Sequence, residues 1–145
     1  MRKAILGLVL ATGVTGAAYA GDYVVVASTD PSVRPGLELD AGQRVALGAG
    51  QTLRLINAGG DITTLRGGPA GAVTPRASAA ANATRLAQLK VLVDPPPAGR
   101  AFGVSRAGVC PDPATLLSLD QILVVQSGGC AREAKAALDA YVAAH

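Results

Sequence analysis

Tryptophan is absent from this 145-residue chain, phenylalanine occurs once and tyrosine three times. A core made from it must therefore be built of Val, Leu, Ile and Ala, and a surface that stacks sugar rings or unpaired bases has almost no aromatic side chains to draw on. The one histidine is His145, at a terminal position that frays and is poorly suited to hold the base of a nucleophilic triad. Cysteine is limited to Cys110 and Cys130. Their spacing is not C-x-x-C, and without an interior histidine they do not complete a zinc-type ligand set. Past residue 20 no apolar run is long enough to cross a bilayer, since Val24–Val26 and Ile122–Val125 are strand-sized.

The first twenty residues carry the features of a cleavable secretory signal. Met1-Arg2-Lys3 is a short positive head, Ile5, Leu6, Leu8, Val9 and Leu10 form an apolar middle diluted by Gly and Thr, and Ala18-Tyr19-Ala20 is a small-x-small ending. The expected cut lies between Ala20 and Gly21. Removing residues 1–20 leaves 125, the size of a single domain over residues 21–145 with a modest core. Arg2 and Lys3 leave with the signal, so the formal net charge falls from +3 to +1. A near-neutral domain offers no broad field for nucleic acid, whose binding rests on several Lys and Arg contacts to phosphate. In an oxidising compartment the two cysteines are expected to pair, closing a loop of about 20 residues that stabilises the fold by roughly 3 kcal/mol.

The chain divides into three stretches. Residues 21–68 read as an antiparallel β meander. Tyr23 to Ser28 is β-branched and apolar without interruption, which predicts a strand buried on both faces. Gly42-Gln43-Arg44-Val45-Ala46-Leu47 is echoed eight residues on by Gly50-Gln51-Thr52-Leu53-Arg54-Leu55. Alternation with period two places Val45, Leu47, Leu53 and Leu55 on a buried face and leaves Arg44 and Arg54 together on the solvent face, with Gly48-Ala49-Gly50 as the hairpin turn. Leu37 to Leu39 and Ile62 to Leu65 are further short strands, the latter entered through an Asn57–Asp61 turn. Residues 69–83 are rich in Gly, Pro, Ala, Ser and Thr without apolar period and read as a flexible loop.

Residues 84–145 read as mixed α/β. Leu86, Leu89 and Val93 fall at helical spacing and predict a helix over 82–93, stopped by Asp94-Pro95-Pro96-Pro97. Residues 101–104 and 121–126 are expected as strands, 114–119 as a short helical turn, and 131–144 as a helix with Ala134, Leu138, Tyr141 and Val142 inward. The fold class expected is mainly β within α+β: a small antiparallel sandwich or roll, completed by the 121–126 strand and by a C-terminal helix tethered through Cys130 to Cys110.

The candidates for chemistry are few. Asp22, Asp30, Glu38, Asp40, Asp61 and Asp94 adjoin turns or sit on the polar phase of strands, which is the pattern of turn formation rather than of a paired acid and base. No catalytic residue, cofactor site or metal site is expected. Arg44 and Arg54 are the candidate residues for an anionic partner. Asn82-Ala83-Thr84 matches an N-glycosylation sequon, relevant only in a cell that glycosylates exported chains. The glycine-punctuated run Gly36-Leu37-Glu38-Leu39, Gly50-Gln51-Thr52-Leu53-Arg54-Leu55 and Gly60-Asp61-Ile62-Thr63-Thr64-Leu65-Arg66-Gly67 resembles the strands of FecR-like periplasmic β-domains and of uncharacterised exported bacterial proteins. That resemblance implies an envelope domain acting through protein contacts. The expected role is a non-catalytic envelope accessory or protein-interaction module whose partner is another envelope protein. The alternatives are a binding module for cell-wall glycan or another anionic polymer and, third, a carboxylate-based hydrolase.

Mass spectrometry of the protein isolated from its cell should find an N-terminus at Gly21 and no alkylatable thiol. An intact Met1 together with two free thiols would overturn the export reading.

Overall fold

The computed structural model of the chain describes residues 21–76, 82–96 and 108–145. The signal segment and the strand expected at 101–104 lie outside the described residues. The fold is α+β. Among the described residues there are six strands: β1 (Tyr23–Ser28), β2 (Glu38–Leu39), β3 (Arg44–Val45), β4 (Thr52–Asn57), β5 (Ile62–Arg66) and β6 (Ala72–Val73). Three helices follow, α1 (Ala83–Val93), α2 (Leu119–Ser127) and α3 (Ala131–Ala144), with a 3-10 turn at Pro113–Thr115. Among the described residues the three helices hold more residues than the six strands.

An antiparallel sheet in the order β2-β1-β4-β5 forms the centre, and a separate two-stranded ribbon pairs β3 with β6. Side chains alternate across β1: Val24 enters a core shared with the helices, whereas Tyr23 and Val25 enter a second core on the other face. Both valines are completely buried, as the uninterrupted apolar run predicts. The first core joins Val24 and Ile56 to Leu86, Leu89, Leu92, Ile122 and Leu138 from the helices. The second joins Val25, Leu53 and Leu55 to Val45, Leu47 and Ala72 from the ribbon and its flanks.

The 121–126 strand is a correction, because this segment lies inside α2. Ser118 caps the helix through the backbone N–H of Gln121, and the Gln121 side chain accepts from the Ser118 backbone N–H in return. This capping box satisfies donors that a helix start otherwise leaves unpaired. Leu119, Ile122 and Leu123 are buried while Val124 is 68% exposed. That is a helical stripe, and it overrides the strand preference of the Ile and Val residues. No strand from this segment completes the β layer.

The hairpin over 44–55 is a second correction. β3 pairs with β6, and β4 pairs with β1 and β5. The Gly48–Gly50 turn, closed by Gln51 N–H donating to Gly48 O at 3.0 Å, carries the chain from ribbon to sheet. Val45, Leu47, Leu53 and Leu55 do share one core, meeting across it from two sheets. A Cβ on Gly67 would fall 1.9 Å from Gly48 O, so the chain crosses itself there only because residue 67 has no side chain.

The segment 69–83, expected as a loop, contains a short strand. Ala72–Val73 forms β6, and Thr74, only 2% exposed, fastens it. Thr74 Oγ1 donates to Asp40 O and accepts from Gln43 N–H at 2.8 Å, and Thr74 N–H donates to Gln43 O at 2.9 Å.

The helices at 82–93 and 131–144 form as expected. Asn82, the sequon asparagine, caps α1 by accepting from Arg85 N–H at 3.1 Å. A disulfide joins Cys110 to Cys130, immediately before α3. It ties the three-residue α2–α3 corner to the chain leading into the 3-10 turn. Among the described residues no helix is long and apolar enough to cross a membrane.

Replacing Thr74 with Val removes two hydrogen bonds from a buried latch, and should lower unfolding stability by about 1–3 kcal/mol in denaturant titration. Thr74→Ser, which keeps the hydroxyl, should retain most of it.

Candidate functional site

A cleft of about 340 Å³ opens on the helical side of the sheet. That is within the range of about 300–1,000 Å³ typical of small-ligand pockets. Its floor is made by β1 and β4, and the β1–β4 register explains why. Val25 pairs with Leu55 and Ala27 with Arg54, leaving Val26 as an extra residue in a β-bulge. A bulge turns neighbouring side chains off their alternation. Here it lets the consecutive Val26 and Ala27 both line the cleft beside Arg54. In the other direction Arg54 lies opposite Thr64 of β5. The small cross-strand neighbours Ala27 and Thr64 leave room for a guanidinium.

Leu138, Val142 and Ala143 of α3 form one wall, with Lys135 and Asp139 also on that wall; Val93 at the end of α1 and Pro35 form the other. Each wall is fixed. Tyr141 donates its hydroxyl to Gly60 O at 3.0 Å, holding the last turns of α3 to the β4–β5 turn. That turn is itself closed by Asn57, whose Oδ1 accepts from Gly59 N–H and Asp61 N–H. On the opposite wall Gly36, at φ 86°, brings the Pro35 loop so close to α1 that an added Cβ would meet Asp94 Cβ at 2.5 Å. The same loop begins at Asp30, which accepts from the Ser32 hydroxyl and backbone N–H. These bonds hold its carboxyl below the usual aspartate range.

Electrostatically the cleft is unbalanced. Lys135 and Asp139 pair with each other one helical turn apart. Arg54 is half-buried, makes no ion pair or side-chain hydrogen bond among the described residues, and has a buried Nε with no partner. An unsatisfied buried donor costs about 1–3 kcal/mol. Arg54 thus brings an unpaired positive charge to a cleft whose other lining residues are apolar apart from the Lys135–Asp139 pair.

The two arginines singled out in the sequence do not share a face. Arg44 is exposed on the ribbon, where its Nη1 donates to Ala70 O at 3.3 Å, and Arg54 lies under α3 in the other sheet. The solvent-face patch is thus corrected: alternation was right within β4, but the face away from Leu53 and Leu55 is the one the helices cover. The bulge at Val26 has no sequence signature. The spacing of Leu138 and Val142 marks one face of α3, but nothing in it shows that Lys135 and Asp139 beside them line a cleft with Arg54.

The carboxylates are dispersed and locally engaged. Asp22 accepts from Ala41 N–H at 2.9 Å, Glu38 pairs with Lys90 at 2.9 Å, and Asp61 accepts from Asn57 Nδ2 at 2.9 Å. Cys110, Cys130 and Glu133 group closely, but sulfurs joined in a disulfide present no thiolate to a cation. His145 stacks on Tyr141 with ring centroids 4.3 Å apart. No family model, curated protein or solved structure matches this chain.

Arg54→Met keeps the aliphatic stem and removes the unmatched charge. It should leave the melting temperature unchanged or raise it, with a gain of about 1 kcal/mol in calorimetry. A loss of several kcal/mol would show that Arg54 is a structural residue rather than one held ready for a ligand.

Proposed function

We propose that the protein is a non-catalytic binding module of the cell envelope that engages another envelope protein through the Arg54 cleft. The observation that carries this reading is the unneutralised, half-buried Arg54 on the floor of an apolar-walled cleft whose two sides are independently braced. A surface arginine needs no such setting, and a purely structural buried one is ordinarily paired.

The Cys110–Cys130 disulfide supports an oxidising, extracytoplasmic location for the module, in keeping with the signal-like first twenty residues. The dispersal of Asp22, Asp30, Glu38 and Asp61 into turns and ion pairs supports binding over hydrolysis, since acid/base chemistry needs two carboxyl groups facing one space. The resemblance of residues 36–67 to FecR-like β-domains supports a role carried by protein contacts. A long polyanion fits the site less well than a protein partner does, because the only unpaired cation lining the cleft is Arg54 and successive negative charges find no further one there.

The experiment is a crosslinking pull-down from an envelope fraction with the isolated protein and with Arg54→Glu, each verified by its melting curve. The expected result is a small set of proteins recovered with the former and lost with the latter. Identical recovery from both would overturn the role of this cleft.

A further inference from the structure

We infer that the ligand of the Arg54 cleft is the free carboxy-terminus of a partner chain, ending in an aliphatic residue. This rests on the binding reading above and names its chemistry. Three features of the cleft select it.

The first is the charge set. Arg54 is the unpaired cation, and the Lys135–Asp139 pair lining the same space adds a further ammonium donor and a second carboxylate oxygen. A terminal residue presents the complement: a carboxylate for the cations and, one bond beyond its Cα, an amide N–H that a carboxylate can accept. A sulfate has no hydrogen-bond donor for Asp139, and an amine-terminated ligand repels Arg54.

The second is the apolar surface. Val26, Ala27, Val93, Leu138 and Val142 surround the charged groups. On a terminal residue the aliphatic side chain and the carboxylate share one carbon, so both are buried together within a cleft of this size. An internal Asp or Glu would bring a second backbone arm, and its amide and carbonyl groups would lose water against the apolar walls without gaining hydrogen bonds.

The third is geometry. A guanidinium offers paired N–H donors in a planar fork that matches the two oxygens of a carboxylate, whereas an ammonium acts as a point charge. Ala27 and Thr64 flank Arg54 in the sheet, so its cross-strand neighbours are small.

The test uses N-acetyl-Ala-Ala-Leu with a free carboxylate and the same peptide as its C-terminal amide, titrated at millimolar concentration into the isotope-labelled protein. The acid should shift the amide resonances of Val26, Ala27, Leu138 and Val142 in a saturable manner, and the amide should bind at least about 10-fold more weakly, the loss expected for one charge-assisted hydrogen bond pair. Arg54→Gln should reduce acid binding by about as much, and Arg54→Lys should restore part of it. Equal binding of acid and amide, no saturable shift by the acid, or equal shifts produced by inorganic phosphate would each overturn the inference. If the acid fails while Arg54→Glu still abolishes recovery of an envelope partner, the terminus proposal falls and the binding module stands.

Discussion

Val24 and Val25 are consecutive in β1, point to opposite sides of the sheet, and are both wholly buried. A small antiparallel sheet more often leaves one face in water, so this pair demands a cover on each side, and the chain has few aromatic residues with which to make either. The two covers are of different kinds. One is a short ribbon, held by backbone bonds and by Thr74. The other is a layer of three helices whose leucines at helical spacing supply the volume that aromatics would elsewhere provide. The element order follows from this division, with ribbon strands interleaved among those of the main sheet and, among the described residues, the helices coming after β6.

The helical cover cannot rest on the sheet everywhere, because the bulge at Val26 changes the pitch of side chains just where α3 crosses β1 and β4. Upstream of the bulge Val24 and Ile56 meet the helices in a closed core. Beyond it the floor carries Ala27 and Arg54, and the packing opens into the cleft. A cavity formed by poor packing would close or shift readily. This one is framed by α3, which is held by the disulfide before its first residue and by Tyr141 near its end, and by the Pro35 loop in contact with Asp94. Such bracing lowers the ordering entropy that a ligand must overcome.

What the sequence made legible and what it concealed divide along a physical line. Local signals translated well: Tyr23–Ser28, the Asn57–Asp61 turn, α1, α3 and the cysteine pairing each depend on residues close together or on two unique thiols. The misreading of 121–126 came from weighting β-branched composition above Ser118 and Gln121, whose three-residue spacing is the signature of a helix start. Partner choice among strands was not local. Val45 and Leu53 announced burial correctly, but alternation specifies a direction for each side chain and not which backbone lies alongside. The cleft was the least legible, because it depends on a one-residue register slip and on which helix crosses it.

Arg54 lines the cleft beside Val26 and Leu138, next to the core that Val24 and Ile56 share with the helices. Neutralising it would need only a carboxylate nearby, and Asp139 lines the same cleft but is held by Lys135 one turn away on α3. Charge is thus kept unmatched although the means to match it are within the site. An external carboxylate resolves it: the guanidinium gains its partner and the apolar walls are covered in the same event. Affinity then derives from a deficit built into the unliganded protein, and it depends on the bulge that sets Ala27 rather than a larger side chain beside Arg54.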